Sequence, residues 1–215
     1  MDTIKRIKYK TNNCYLIVND VKAVLVDTCS GGAYETVVKE CSNYDMQLIV
    51  LTHIHFDHAE NAARLSEYFH IPVAFHEADI NLFESYDSQP LKSYGIVGKT
   101  VLGISLGTLR NTVITKPKNY LYIKEGDSLT DYGIDARIIE VPGHTQGSIA
   151  VDVAEKSLIA GDALDNWIFP MTGHLYTDRE KLNKSAERIR SLGERTIYYG
   201  PVSYTHLTLP TIYSV

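Results

Sequence analysis

Gln47-Leu48-Ile49-Val50-Leu51-Thr52-His53-Ile54-His55-Phe56-Asp57-His58 is the stretch that orders the rest of this chain. Residues 47–52 form a continuous apolar run, as expected of a strand buried on both faces. Residues 59–69 carry helical spacing and stop before Pro72. The charged and imidazole residues therefore sit at the junction of a buried strand and a helix. His53 and His55 are two apart, so in extended backbone their side chains point the same way and can bind one metal as a pair. Asp57 and His58 lie where the chain turns into the helix and can face a neighbouring point. Imidazole with carboxylate suits zinc, and also iron or manganese.

Working outward, residues 13–18 and 22–27 are short and β-rich around an Asn19-Asp20 turn, which predicts a hairpin. Residues 33–44 have helical spacing, and Val73–Phe75 reads as a short strand. Residues 77–118 are looser. A helix is expected over 77–86, and 95–107 is rich in glycine and aliphatics without a clear period. That stretch reads as an insertion over the mouth of the domain. Strands follow at 120–124, 134–141, 148–153 and 157–160, then an amphipathic helix at 177–192 and a last strand at 196–199. Two strand-rich halves, each closed by helices, predict an α/β protein of stacked sheets with helices outside.

The 215 residues suit one domain, placed at 1–200, and 44% hydrophobic with 22% charged residues is ordinary for a globular protein. Lys and Arg number 21 against 26 Asp and Glu, a net charge of −5. A protein that tracks a phosphate backbone usually carries a basic excess, so nucleic acid is an unfavoured partner and a small molecule the expected one. No apolar run reaches the roughly 18 residues of a membrane span. No secretory leader is evident, and the three cysteines, Cys14, Cys29 and Cys41, form no paired motif. Reduced thiols in a cytoplasmic protein are the expectation. The oligomeric state is not readable.

The run His53-x-His55-x-Asp57-His58 resembles the HxHxDH pattern of the metallo-β-lactamase superfamily, and the resemblance extends over residues 12–200. The family's next metal histidine corresponds to His144 in Val141-Pro142-Gly143-His144-Thr145, and its bridging aspartate to Asp162 in Ala160-Gly161-Asp162. Its strand-end aspartate corresponds to Asp27, which could orient a ligand or simply end a strand. The resemblance implies a four-layer αββα sandwich and two metal ions, zinc by default. His53, His55 and His144 would hold the first; Asp57, His58 and the bridging Asp162 would hold the second. It also implies a hydrolase, in which an activated water attacks an ester, thioester or lactone carbonyl and Asp57 steers the nucleophile or a proton. His58 beside Asp57 is similar to hydroxyacylglutathione hydrolases and lactonases. Phosphodiesterases and iron-dependent persulfide dioxygenases share the pattern, and a degenerate non-catalytic module is the remaining alternative. Pro142-Gly143 and Gly161 place His144 and Asp162 on tight turns just past strands, so the ligands would converge on one rim.

The tail departs from that pattern. A further family histidine is expected after a terminal strand ending in glycine, here Ile197-Tyr198-Tyr199-Gly200, but Pro201 follows. Residues 202–211 read as a translated transposon-end sequencing adapter, with Pro201 at the junction. We therefore expect 201–215 to be a non-native tail, a natural histidine to be lost at 201, and the second metal site to be incomplete; His206 is the rival donor. Beyond the motif, His174 in a loop after Trp167–Pro170 is a candidate substrate contact. His76 and His70 are expected to be structural. Gly98-Lys99-Thr100 lacks the spacing of a phosphate loop.

Overall fold

In the computed structural model, residues 2–166 and 171–200 are described. Trp167–Pro170 and residues from Pro201 on, His206 and the adapter-like stretch included, lie outside them. The chain opens with three successive antiparallel strands, β1 (Thr3–Tyr9), β2 (Asn12–Asn19) and β3 (Lys22–Val26). Helix α1 (Tyr34–Cys41) crosses to β4 (Asp45–Val50), parallel to β3. Helices α2 (Phe56–Ala59) and α3 (Ala62–Phe69) lead to β5 (Val73–Phe75), again parallel. Then come β6 (Lys92–Ser93), α4 (Gly95–Asn111) and β7 (Tyr120–Tyr122). The first sheet has the order β1-β2-β3-β4-β5-β7.

The second sheet is a meander of β8 (Ala136–Glu140), β9 (Ile149–Val153) and β10 (Ser157–Ile159). Short strands β11 (Leu164–Asp165), β12 (Met171–Thr172) and β13 (Leu175–Tyr176) follow, then α5 (Arg179–Ser191). Strand β14 (Thr196–Tyr198) pairs parallel with β10 and completes the order β14-β10-β9-β8.

The period of two along the strands sorts side chains into separate cores. In β2, Cys14, Leu16 and Val18 face one core while Tyr15 and Ile17 face another. In β3, Ala23 and Leu25 go one way, Val24 and Val26 the other. The outward residues meet Val37 and Cys41 of α1 and Leu65 of α3. The inward residues meet Ile138, Ile149, Val151 and Ile159 of the second sheet. On that sheet's far side, Ile139, Ala150 and Leu158 pack on Leu182, Ala186 and Ile189 of α5. Three stacked cores make four layers, helix–sheet–sheet–helix, as the resemblance implies. Among the described residues no helix is long and apolar enough to cross a membrane.

Three local readings are corrected, at 77–86, 95–107 and 59–69, and one element that the sequence reading left unassigned is added. The N-terminal segment is strand β1: Ile7 is buried while Lys5, Lys8 and Arg6 stay in solvent, the charged dress of an edge strand. Residues 77–83 form a 3₁₀ turn rather than an α-helix. Residues 95–107 lie within α4, a 17-residue helix. Its glycines depress helix propensity and its aliphatics go all round, which hides the period. Packing of Leu109, Leu102 and Leu106 on Tyr86 and Leu91 supplies what propensity does not. The expected helix 59–69 is broken at Asn61, whose amide donates to the carbonyls of Thr28 and Ser30 (both 2.9 Å). That break fastens the β4–α3 segment to the loop after β3.

Candidate metal centre

The expected metal ligands converge from loops at strand C-terminal ends and sheet turns. His53 and His55 follow β4, and His55 stays extended (φ −115°, ψ 160°) before α2 begins. His144 rides the β8–β9 turn. Gly143 there has φ +135°, and a Cβ would strike the Leu182 backbone, so the turn sits directly on α5. Asp162 follows β10 on a turn where Gly161 has φ +52° against Thr52.

Two groups of donors form. Ligand atoms of His53, His55 and His144 lie within 4.8 Å of one another, as do those of His53, His58 and Asp162. Asp162 reaches both: Oδ1 is 3.2 Å from His58 Nε2 and Oδ2 is 3.5 Å from His144 Nε2. Asp57 belongs to neither three-residue group. Its Oδ2 is 3.8 Å from His58 Nε2 and accepts from Asn12 Nδ2 at 3.4 Å, at the rim of the cleft.

The tautomers follow from what lies behind the rings. Asp27 accepts from Thr52 N (2.8 Å) and from Thr52 Oγ1 (2.9 Å), and its Oδ2 is 2.8 Å from His58 Nδ1. A carboxylate only accepts, so His58 carries its proton on Nδ1 and presents Nε2 to Asp162. The Thr52 hydroxyl, having donated to Asp27, accepts from His53 Nδ1 at 3.2 Å. His53 Nε2 is then a bare lone pair, and it is buried with no partner among the described residues. His144 Nδ1 donates to the Leu175 carbonyl at 2.9 Å, leaving Nε2 facing His55 Nδ1 at 3.0 Å. His55 Nε2 also lacks a partner among the described residues. Convergent, dehydrated lone pairs of this kind are costly unless a cation sits among them, and imidazoles with a spanning carboxylate are the donor set divalent metals take. The residues fit the group the family implies.

Charge agrees. Burial, with the neighbouring imidazoles, pushes His53 and His55 well below the usual histidine range, so both are neutral donors. Burial alone would raise Asp162, but His58 and His144 outweigh it and hold the carboxylate ionised. Burial would lower His58, but Asp27, Asp162 and Asp57 outweigh it and raise it well above the usual range, so without a cation Nε2 is also protonated toward Asp162, and a metal would take the place of that proton. Burial raises Asp57.

Two supports behind the ligands carry little or no local signal in the sequence. Asp27, 1% exposed, adopts φ +62° to turn its carboxylate under the histidines. An aspartate closing the aliphatic run Ala23–Val26 is the available signal. Asp79 is likewise buried. It accepts from Thr145 Oγ1 (2.7 Å), Gly147 N (2.8 Å) and Gln89 Nε2 (3.1 Å), clamping the loop that carries His144. No local pattern announces it, because its partners lie more than sixty residues away or in the insertion.

His174 lies in the same cleft as His55, Asp57, His144 and Asp162. Asp165 Oδ2 accepts from its backbone N (2.7 Å) and lies 2.8 Å from Nδ1. That hydrogen bond raises its pKa against the effect of burial. His76 is elsewhere, with Nδ1 accepting from Ala78 N and Nε2 beside Glu140. His70 ends α3 in left-handed backbone. Neither lines the cleft, and Gly98-Lys99-Thr100 is part of α4.

Residues 9–200 match the metallo-beta-lactamase superfamily, and the chain belongs to it. It is 28% identical over 182 residues to a probable metallo-hydrolase, MJ0888, of Methanocaldococcus jannaschii, covering 80% of this chain and 79% of that one. It is 31% identical over 157 residues to the hydroxyacylglutathione hydrolase GloC of Haemophilus influenzae, covering 71% and 66%. Among solved structures, TTHA1623 in a di-iron-bound form superposes with a TM-score of 0.69 at 23% identity, covering 96% and 94%. The metallo-beta-lactamase family protein TTHA1429 of Thermus thermophilus gives 0.67 at 26%, covering 94% and 73%.

Proposed function

We propose that this metallo-hydrolase superfamily member cleaves an ester, thioester or lactone of a small molecule. The observation that carries the reading is the Asp162 carboxylate, with one oxygen toward each donor group at the floor of a cleft. His53, His55 and His144 would hold one metal, and His58 with Asp162 a second. Metals held there would supply Lewis acidity and make water a nucleophile near neutral pH. Zinc, iron and manganese all suit this donor set.

The chain's own groups do the rest. Asp27 and Thr52 keep the lone pairs of His53 and His58 aimed inward. Asp57 at the rim accepts a proton from the attacking water. His174, held by Asp165 through Nδ1, offers Nε2 to the substrate as a hydrogen-bond partner. Water adds to the carbonyl carbon, the C–S or C–O bond breaks, and acid and thiol or alcohol leave, the last taking the proton. The likeness to a hydroxyacylglutathione hydrolase supports a carbonyl rather than a phosphoryl centre, and the acidic balance of the chain points the same way.

The second site is proposed to be short of a donor. A Cβ on Gly200 would press on Asp162 Oδ1 and His58 Cε1, so the chain leaves β14 directly beside that site. Pro201→His should raise the metal content from about one to about two per chain. Two tightly held ions in the unaltered chain would contradict an incomplete site. The functional test is turnover of thioester, lactone and phosphodiester probes after loading with zinc, manganese or iron, with metal counted in each sample. Phosphodiester turnover alone would replace the carbonyl reading.

A further inference from the structure

The wall facing the metal floor differs in kind from it. Strand β6 pairs with β13, and Tyr94 N donates to the His174 carbonyl at 2.9 Å, which fixes the start of α4 over the cleft. Gly98 lies so close to His174 that a Cβ would approach its carbonyl to 3.1 Å. The helix therefore lies flat on the mouth. Leu91, Val101 and Leu109 line the cleft from this side, with Phe56 and Leu175 at its ends. Leu91 and Leu109 belong to a separate apolar cluster with Tyr86.

No lysine or arginine lines the cleft among the described residues. Arg110 lines the neighbouring groove, beyond Leu109, and is paired with Asp87 at 3.4 Å. Apart from the donor groups, the described imidazole of the cleft is His174, and its Nδ1 is already committed to the Asp165 carboxylate, whereas an apolar arm gains a dry wall.

Resting on the carbonyl-hydrolase reading, we propose that the site selects uncharged substrates bearing an apolar acyl arm and discriminates against anionic thioesters such as those of glutathione. The arm lies along Leu91, Val101 and Leu109, and the carbonyl sits over Asp162.

The test uses the full metal-loaded chain, unaltered and as Pro201→His, and three neutral thioesters of N-acetylcysteamine, the acetyl, butyryl and hexanoyl esters, beside S-lactoylglutathione. Burial of each added methylene should raise kcat/KM about threefold, and S-lactoylglutathione should fall below the butyryl ester. Val101→Lys should lower the hexanoyl value and raise that for S-lactoylglutathione; Ser105→Lys serves if the first variant does not fold. A flat chain-length series, or S-lactoylglutathione as the best substrate of the unaltered chain, overturns the proposal. A binding arm separates its failure from that of the hydrolase reading. Calorimetry on the metal-free chain should show N-hexylacetamide binding and glutathione not binding. If no probe turns over with the unaltered chain or with Pro201→His carrying two metals, the hydrolase reading fails, and the calorimetric result alone decides whether the apolar wall selects ligands.

Discussion

On the floor of the cleft, Asp27 takes three hydrogen bonds, from Thr52 N, Thr52 Oγ1 and His58 Nδ1, and Asp79 takes three more behind His144. On the roof, Leu91, Val101 and Leu109 meet the cavity with apolar side chains, and the partly buried Ser105 is their polar neighbour. The floor is specified atom by atom, because a buried imidazole with the wrong tautomer is both an unsatisfied group and a useless ligand. The roof is specified only by volume and polarity. Each hydrogen bond of the floor constrains a particular residue, whereas the roof constrains mainly size and polarity.

The comparison breaks most directly at the floor. His144→Ala or Asp162→Ala should lower activity by at least about a thousandfold and reduce bound metal, as measured by kcat/KM and metal analysis. Retained turnover in the Asp162 variant would remove its spanning role. Asp27→Ala touches no metal directly, yet should weaken the second site about ten- to a hundredfold, read as metal affinity in a chelator competition. Unchanged affinity would reduce Asp27 to a turn residue. Asp79→Ala strands Gly147 N and the Thr145 hydroxyl and should cost about 1–3 kcal/mol of stability in denaturant unfolding. Loss of activity without loss of stability would place Asp79 in the chemistry instead.

The roof should respond less. Leu109→Ala should change kcat/KM for long-chain substrates by less than about tenfold and leave metal content untouched. The smallest effect expected is pH-dependent. His174 has a folded pKa raised by Asp165 above its unfolded value of about 6.5, so the pair's stabilisation is complete below that value and fades as pH rises through the folded pKa. His174→Asn should therefore lower the Tm more at pH 6 than at pH 9, by roughly a few degrees at most. An equal loss at both would show that packing, not the ion pair, is what His174 contributes.

Much of the floor is legible in sequence. The spacing of His53, His55, Asp57 and His58 after an apolar strand, and the tight turns before His144 and Asp162, are local patterns. The four layers follow from the family resemblance and the order of elements. Less legible is everything held by distant partners. Asp57 matches the motif, yet it stands at the rim because Asn12 and the turn into α2 hold it there. Asp79 is unremarkable until Thr145 and Gly147 arrive beneath it. Helix α4 is concealed because glycines and all-round aliphatics erase the period, and packing against Tyr86 and Leu91 forms the helix regardless.

By itself the sequence determined which side chains could bind a metal and which strand ends would carry them, since strand period and turn chemistry are properties of neighbouring residues. Only the tertiary structure decided which nitrogen of each imidazole is free and which wall faces the floor. Those depend on hydrogen-bond partners and packing surfaces brought together across long stretches of chain, where no local pattern records the meeting.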